Sequence, residues 1–311
     1  MRKKLALILA ILSIMAAISN CDENDVTAPE ESLTATIASP INNAPFSYGD
    51  MIAFSGSGTD PEDGILPPDS LEWTTDKDGN IGAGTSFGKD DLSINRHVIT
   101  LTVSDSDGNS DYDNVTITVN IDGNDYYPIG IGNVWNYNIA DVEVIDDPHA
   151  FADGIGQRMN TTRIPGPDVN VDFFDNMIND GVVYFGSYED GVFEDDPVDG
   201  LCVILKNIMT VGDTWTLEFL APSSSSATIS FLGLETVTVP AGDFADCVKI
   251  EFTLNDEEPY TDHLYFAKDV GLVKAARINP PGHTDGWFIL VTSGDRLAEL
   301  QSATINGVSY P

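Results

Sequence analysis

The sequence predicts an all-β protein, an antiparallel sandwich followed by a second β-rich domain. Two observations carry that reading. Between residues 35 and 121, short runs of alternating apolar and polar residues recur with turn residues between them, the pattern of half-buried strands in a sandwich. Further on, Ile-Gly-Asn-Val-Trp at 131–135 is echoed 80 residues later by Val-Gly-Asp-Thr-Trp at 211–215. Each is a Gly-Asn or Gly-Asp turn that reverses the chain ahead of a tryptophan-bearing strand, so either two halves are built alike or one hairpin solution is used twice.

The elements follow in order. Arg2, Lys3 and Lys4 precede an apolar run from Leu5 to Ala17, with Ser19 and Asn20 ahead of Cys21. A cationic start, a short apolar stretch and small residues at a cut site describe a secretory signal. The run is too short to cross a bilayer, which takes roughly 20 residues. Ile18-Ser19-Asn20-Cys21 resembles the lipobox of bacterial lipoproteins. That resemblance implies a signal peptide over residues 1–20, with Cys21 as the new N-terminus carrying a thioether-linked diacylglycerol and an amide-linked acyl chain such as palmitate. The protein is then lipid-anchored in a bacterial cell envelope, on its periplasmic or outer-surface face. Acyl chains bind membranes at about 0.8 kcal/mol per buried methylene, and stable anchoring takes more than one. Asp22 resembles the inner-membrane retention residue of enteric bacteria and leaves the leaflet open. The alternative is an ordinary cleaved signal followed by an unmodified cysteine. Residues 21–34, acidic and polar with one proline, read as a flexible tether.

Of 311 residues, 14 are basic and 50 acidic; without the three cations of the signal, 11 face 50, a net charge of −39. Such a surface repels phosphate backbones, which excludes nucleic acid as a partner, and favours solubility and cation binding. The length suits two domains.

Strands are expected at 51–58, 70–75, 97–105 and 113–120. Ile99, Leu101 and Val103 should share a core face with Val115, Ile117 and Val119, and Trp73 should fill the space between sheets. "GDMIAFSGSGTDPEDG", "LEWTTDKDG" and "HVITLTVSDSDGN" together resemble the bacterial immunoglobulin-like modules related to PKD and cadherin-like repeats, over residues 35–121. "WTTDKDG" stands where the PKD core reads "WDFGDG". Residues 120–128 read as a short polar hinge.

The second domain spans 126–311. "YYPIGIGNVW", "LKNIMTVGDTW", "VTVPAGDFADCVKIEF" and "YFAKDVGLVKA" resemble, over 126–292, a family of bacterial exported proteins and lipoproteins. That resemblance implies a curved, antiparallel, half-barrel-like sheet and brings no activity with it. Val239-Pro240-Ala241-Gly242 and Ala267-Lys268-Asp269-Val270-Gly271 are turns between strands, "APSSSSA" at 221–227 is a loop tip, and "GWFILVT" at 286–292 closes the sheet.

Candidate chemistry is sparse. Gly84-Thr85-Ser86-Phe87-Gly88 satisfies G-x-S-x-G, but a nucleophile elbow needs a helix after the serine and no helical pattern follows. Three acidic turns carry Asp60 and Asp63, Asp76 and Asp78, and Asp105 and Asp107. Asp-Gly and Gly-Asn turns explain them by backbone conformation alone. The EF-hand loop is not met, because Phe87 and Thr116 stand where the twelfth-position glutamate belongs. The other reading, implied by the calcium-binding PKD and cadherin-like relatives, is calcium held where two turns meet. His97, His149, His263 and His283 are scattered singly, without zinc-site spacing, and His97 reads as a satisfied core residue. Cys202 and Cys247 are either a disulfide, which an exported chain permits, or buried thiols. Trp135, Trp215 and Trp287 are core residues or a sugar-stacking face. No phosphate loop or dinucleotide fingerprint appears, so no cofactor beyond calcium is expected. The function this supports is non-catalytic binding or adhesion, toward glycan or protein. One alternative is a carrier of lipid or another apolar ligand; another is an enzyme with an accessory immunoglobulin-like spacer.

Overall fold

Alternation of apolar and polar residues sets the strands, and the computed structural model shows how they pair. It describes residues 32–151, 154–163, 169–177, 180–189, 192–195, 202–218, 226–255, 259–279 and 297–311. The signal segment, Cys21 and all but the end of the tether lie outside the described residues.

The first unit has nine strands: β1 (Thr34–Ser39), β2 (Ala44–Ser47), β3 (Ile52–Asp60), β4 (Gly64–Ile65), β5 (Leu71–Thr75), β6 (Gly79–Ala83), β7 (Ser86–Lys89), β8 (Arg96–Ser104) and β9 (Ser110–Asn120). One sheet runs β1-β3-β4 with β7 also on β3; the other runs β2-β9-β8-β5-β6. Every pair is antiparallel except β2 with β9. Ile99, Leu101 and Val103 are fully buried, as their alternation predicts, with Ile117 and Val119 beside them. Trp73 fills the centre of the sandwich. Its ring stands edge-on to Phe54 and Phe87, which stack 4.9 Å apart, and its indole N–H donates to the Gly84 carbonyl at 2.9 Å. A buried aromatic of this kind contributes about 3–5 kcal/mol relative to alanine.

The edge of the sandwich is closed in a way the sequence does not announce. On β1, Ala35 N–H and Ile37 N–H donate to the carboxylates of Asp111 and Asp113 on β9, both at 2.8 Å. Two side chains thus satisfy edge amides that would otherwise offer a pairing template.

The second unit has β10 (Val134–Tyr137), β11 (Ala140–Phe151), β12 (Gly154–Arg163), β13 (Val169–Met177), β14 (Gly181–Glu189), β15 (Val192–Asp195) and β16 (Cys202–Lys206). It continues with β17 (Thr214–Glu218), β18 (Ser226–Val239), β19 (Gly242–Asn255), β20 (Tyr260–Ala267), β21 (Gly271–Asn279), β22 (Ala298–Ile305) and β23 (Val308–Tyr310). They form one antiparallel sheet in the order β15-β14-β13-β12-β11-β10-β22-β21-β20-β19-β18-β17, with β16 also on β14 and β23 on β22. Its two ends meet: the Trp215 indole on β17 donates to the Val203 carbonyl on β16 at 2.7 Å, and Lys206 Nζ stands 5.0 Å from the same ring. The sheet therefore rolls past a half-barrel to a seam closed by side chains. Both predicted turns, at 239–242 and 267–271, join consecutive strands. "GWFILVT" and residues 221–225 lie outside the described residues; β22 and β23 also belong to the sheet.

The repeated Gly-Asn/Asp-x-Trp motif is one local structure used twice. Gly132 and Gly212 hold φ of 83° and 94°, the left-handed region that glycine adopts without a Cβ penalty. Gly132 N–H donates to Val144 O while Val144 N–H donates to Asn133 O; likewise Gly212 donates to Phe231 O and Phe231 to Asp213 O. Each tryptophan then buries its ring and donates its indole N–H to a strand carbonyl, Trp135 to Val270 at 2.6 Å and Trp215 to Val203.

The expected hinge is a docked segment instead. Ile121 exchanges backbone bonds with Met209, Asp122 caps the turn over Gly123–Tyr126, and Tyr126 and Tyr127 are buried in the second core. The Tyr127 ring packs against Trp135, Phe174 and Phe266. Tyr48 and Ile94 of the sandwich pack on the same core. Two adjacent aromatics outweigh the polar composition around them, because each buries far more apolar area than the neighbouring asparagines and aspartates expose.

Candidate functional site

The acidic turns are built by their own carboxylates. Asp60 accepts from the N–H groups of Glu62 and Asp63 at 2.7 and 2.8 Å. Asp105 accepts from Asp107 N, Asn109 N and Asn109 Nδ2; the Asn109 side-chain amide, with those backbone donors, holds its carboxyl below the usual aspartate range. The first and third turns meet, since Asp63 accepts from Ser106 N–H at 3.0 Å. The second turn is tied elsewhere: Asp76 accepts from Val98 N–H and Asp78 from Ser93 N–H. Among the described residues, no group of three or more His, Cys, Asp or Glu side chains is arranged to hold a metal ion. Asp107 contributes its backbone to the third turn.

His97 is fully buried. Its Nε2–H donates to the Ser93 carbonyl at 2.7 Å, and its Nδ1 is hydrogen-bonded to the Thr75 hydroxyl at 3.0 Å. Ser86 opens strand β7 opposite Ser55 and is exposed. His283, Trp287 and the side chains of His149 and Cys202 lie outside what is described. Cys247 is a free, buried thiol whose Sγ lies 3.4 Å from the Phe244 carbonyl, and burial pushes its pKa up to about 12. Cys202 is on β16 beside β14, and Cys247 is on β19 between β18 and β20. Of the two readings of the strand tryptophans, core residue or stacking face, the core reading holds for the two that are described. Trp135 and Trp215 are inside, where their N–H groups find strand carbonyls.

The interior of the rolled sheet holds one charge pair that sequence reading missed. Asp262 and Arg277 stand opposite each other on β20 and β21, with side chains 2% and 4% exposed. Arg277 donates from Nε and Nη2 to the two carboxylate oxygens at 2.9 and 3.3 Å, and its guanidinium lies 4.0 Å from the Tyr260 ring centroid. Burial raises the Asp262 pKa and Arg277 opposes the rise. The fork-to-fork geometry satisfies both ions, so the pair reads as an internal fastening of the sheet. The only signal for it was polar residues at apolar-phase positions, Asp262 between Tyr260 and Leu264.

The outer face of β17 to β21 has a different character. Because side chains alternate, residues paired in register stand in rows across the strands. Thr216 is opposite Thr228, Thr228 opposite Thr253, and Thr253 opposite Thr261, a row of four hydroxyls across four strands. Thr216 is exposed and the other three partly so. Asn255 donates to Thr228 Oγ1 at 2.9 Å, and the Thr253 and Thr261 hydroxyls are 3.2 Å apart. The next row carries Thr214, Ser230, Glu251 and His263, with Glu251 and His263 3.3 Å apart. Beyond it, Lys249 Nζ is 2.9 Å from Glu235 and 5.3 Å from the Tyr265 ring, and Lys274 is 3.8 Å from Glu299. The Glu235 carboxylate holds the Lys249 ammonium above the ordinary lysine range. Every cation on this face thus has an acidic neighbour. By contrast, the outward positions of β11 carry Asp141 and Glu143 between buried Ala140, Val142 and Val144.

No known family model matches the sequence, and no curated protein matches it. Two solved structures are similar to it. One is an exported protein with a YmcC-like fold from Bacteroides fragilis, 14% identical, covering 57% of this chain and 98% of that one with a TM-score of 0.30. The other is a lipoprotein from Parabacteroides distasonis, 13% identical, covering 58% of this chain and 99% of that one with a TM-score of 0.30.

Proposed function

We propose that this chain is a lipid-anchored bacterial envelope protein with a non-catalytic binding role. An immunoglobulin-like sandwich of the PKD or cadherin-like kind holds the rolled sheet away from the membrane, and the outer face of that sheet meets a partner. The observation that carries the reading is the contrast between the two sides of the sheet. Inside, Tyr127, Trp135, Phe174 and Phe266 occupy the space that an acyl chain would need, which favours surface binding over carriage. Outside, one uncharged row of threonine hydroxyls interrupts an acidic surface. Docking of the linker supports presentation, because the two units are then carried together at the end of the tether.

The test has two arms. Cys21→Ala should move the protein from the membrane to the soluble fraction, and continued membrane association would remove the anchor. Residues 22–311 should bind isolated cell envelopes saturably in a sedimentation assay. Linear, unsaturable binding would sink the proposal.

A further inference from the structure

We infer that the free edge of β17 is a strand-addition site, which takes an extended peptide of a partner protein as one more antiparallel strand. This goes beyond the outer-face reading above and needs neither the threonine row nor the anchor.

The repeated glycine-tryptophan turn carries the argument. In an antiparallel pair, bonded and non-bonded residue pairs alternate. Val144 is bonded to Gly132 and Asn133, and Phe231 to Gly212 and Asp213. Two residues further on, Trp135 opposite Val142 and Trp215 opposite Ile229 are again bonded pairs. The residues between them, Val134 and Asn136 after the first turn and Thr214 and Thr216 after the second, therefore aim their N–H and C=O groups at the opposite edge. On β10 that edge is taken by β22, with Thr304 opposite Val134 and Ser302 opposite Asn136. Among the described residues, β17 pairs with β18 alone. The indole bonds do not compete with a strand there. Trp135 reaches Val270 at the head of β21, beyond β22 in the sheet order, while β22 keeps its place; Trp215 reaches Val203 on β16 in the same manner.

Other edges carry protection that this one lacks. Asp111 and Asp113 cover the amides of β1, and β2 contains Pro45, devices that keep an edge from pairing. Thr214 to Leu217 holds neither proline nor charge, and both threonines are exposed. The partner of β10 shows what the edge fits. On β22, Ser302 and Thr304 face outward while Leu300 and Ala303 are buried, so the matching strand alternates small polar with apolar residues. Main-chain bonds supply affinity in such additions and alternate side chains supply specificity. A net charge of −36 favours a cationic peptide, and it opposes the pairing of two molecules of this chain.

The probe is a fluorescein-labelled peptide carrying residues 300–305 between lysine pairs, titrated with residues 22–311 and followed by fluorescence anisotropy. Binding should saturate. Methylating the peptide's backbone nitrogens at Ser302 and Thr304 keeps its charge and removes the donors, and should weaken binding at least tenfold. Thr216→Pro removes an edge N–H that β18 does not use, and should weaken binding at least tenfold with melting unchanged. If that variant does not fold, the methylated peptide decides alone. Unsaturable binding, equal binding of plain and methylated peptides, or equal binding by folded Thr216→Pro would overturn the site. A dimer in sedimentation equilibrium that Thr216→Pro abolishes would also overturn it, because the edge then belongs to a second molecule of this chain. Envelope binding is tested apart from all of these outcomes, so either reading can fail without the other.

Discussion

Buried polar groups are where single residues matter most in this molecule. The Asp262–Arg277 pair lies in a low-dielectric interior, where breaking such a pair strands one ion and costs about 3–5 kcal/mol. Arg277→Met should therefore lower urea stability by that order. Asp262→Leu combined with Arg277→Met should recover most of it, since a matched apolar pair is often neutral or stabilising; a double variant as unstable as the single one would contradict this account. Cys247 gives a pH test. Its folded pKa lies above the ordinary thiol value because burial disfavours the thiolate. Its contribution is therefore fully present below about pH 9 and is lost as pH rises toward 12. In residues 22–311 carrying Cys202→Ser, the native chain should not react with a thiol reagent at pH 8, and should expose one reactive thiol in guanidinium.

At the scale of elements, the linker and the β1 edge are the informative places. Tyr126 and Tyr127 fasten 121–129 into the second core, with Asn176 accepting from Ile129 N–H and donating to the Tyr127 carbonyl. Tyr126→Ala/Tyr127→Ala should raise amide hydrogen exchange across 121–129 while leaving β5 and β8 protected; unchanged exchange would mean that the backbone bonds alone hold the segment. On β1, Asp111→Ala should leave Ala35 N–H without its acceptor and cost about 1–3 kcal/mol, seen as a lower urea midpoint at unchanged m-value. Much at this scale was legible in the sequence. Strands β3, β5, β8 and β9 and the turns at 239–242 and 267–271 follow from local alternation and turn chemistry. The hinge was misread because composition averages over nine residues, whereas docking depended on two of them. Strands β22 and β23 carry weaker alternation and were not expected.

Across the whole molecule, charge dominates. With 50 acidic and 14 basic residues, self-repulsion opposes compaction, and salt that shortens the Debye length from about 30 Å to a few ångströms should raise the melting temperature. A melting temperature that falls or stays level between about 10 mM and 0.5 M NaCl, spanning that change in screening, would show that local ion pairs outweigh the net charge. The seam between β16 and β17 belongs to this scale too. Trp215→Phe keeps the ring but removes the donor to Val203, and it should open the ends of the sheet to exchange without unfolding the sandwich.

The sequence by itself determined the class of the fold, the positions of most sandwich strands and the net acidic charge, because alternation, turns and charge are properties of short windows. It also exposed the repeated glycine-tryptophan turn. Only the tertiary structure decided what those strands face. The carbonyl that receives the Trp135 indole is 135 residues away, the threonine row needs four strands in one register, and Asp262 is paired only because β20 and β21 align it with Arg277. Register between distant strands is set by packing of the whole sheet, which no local window contains.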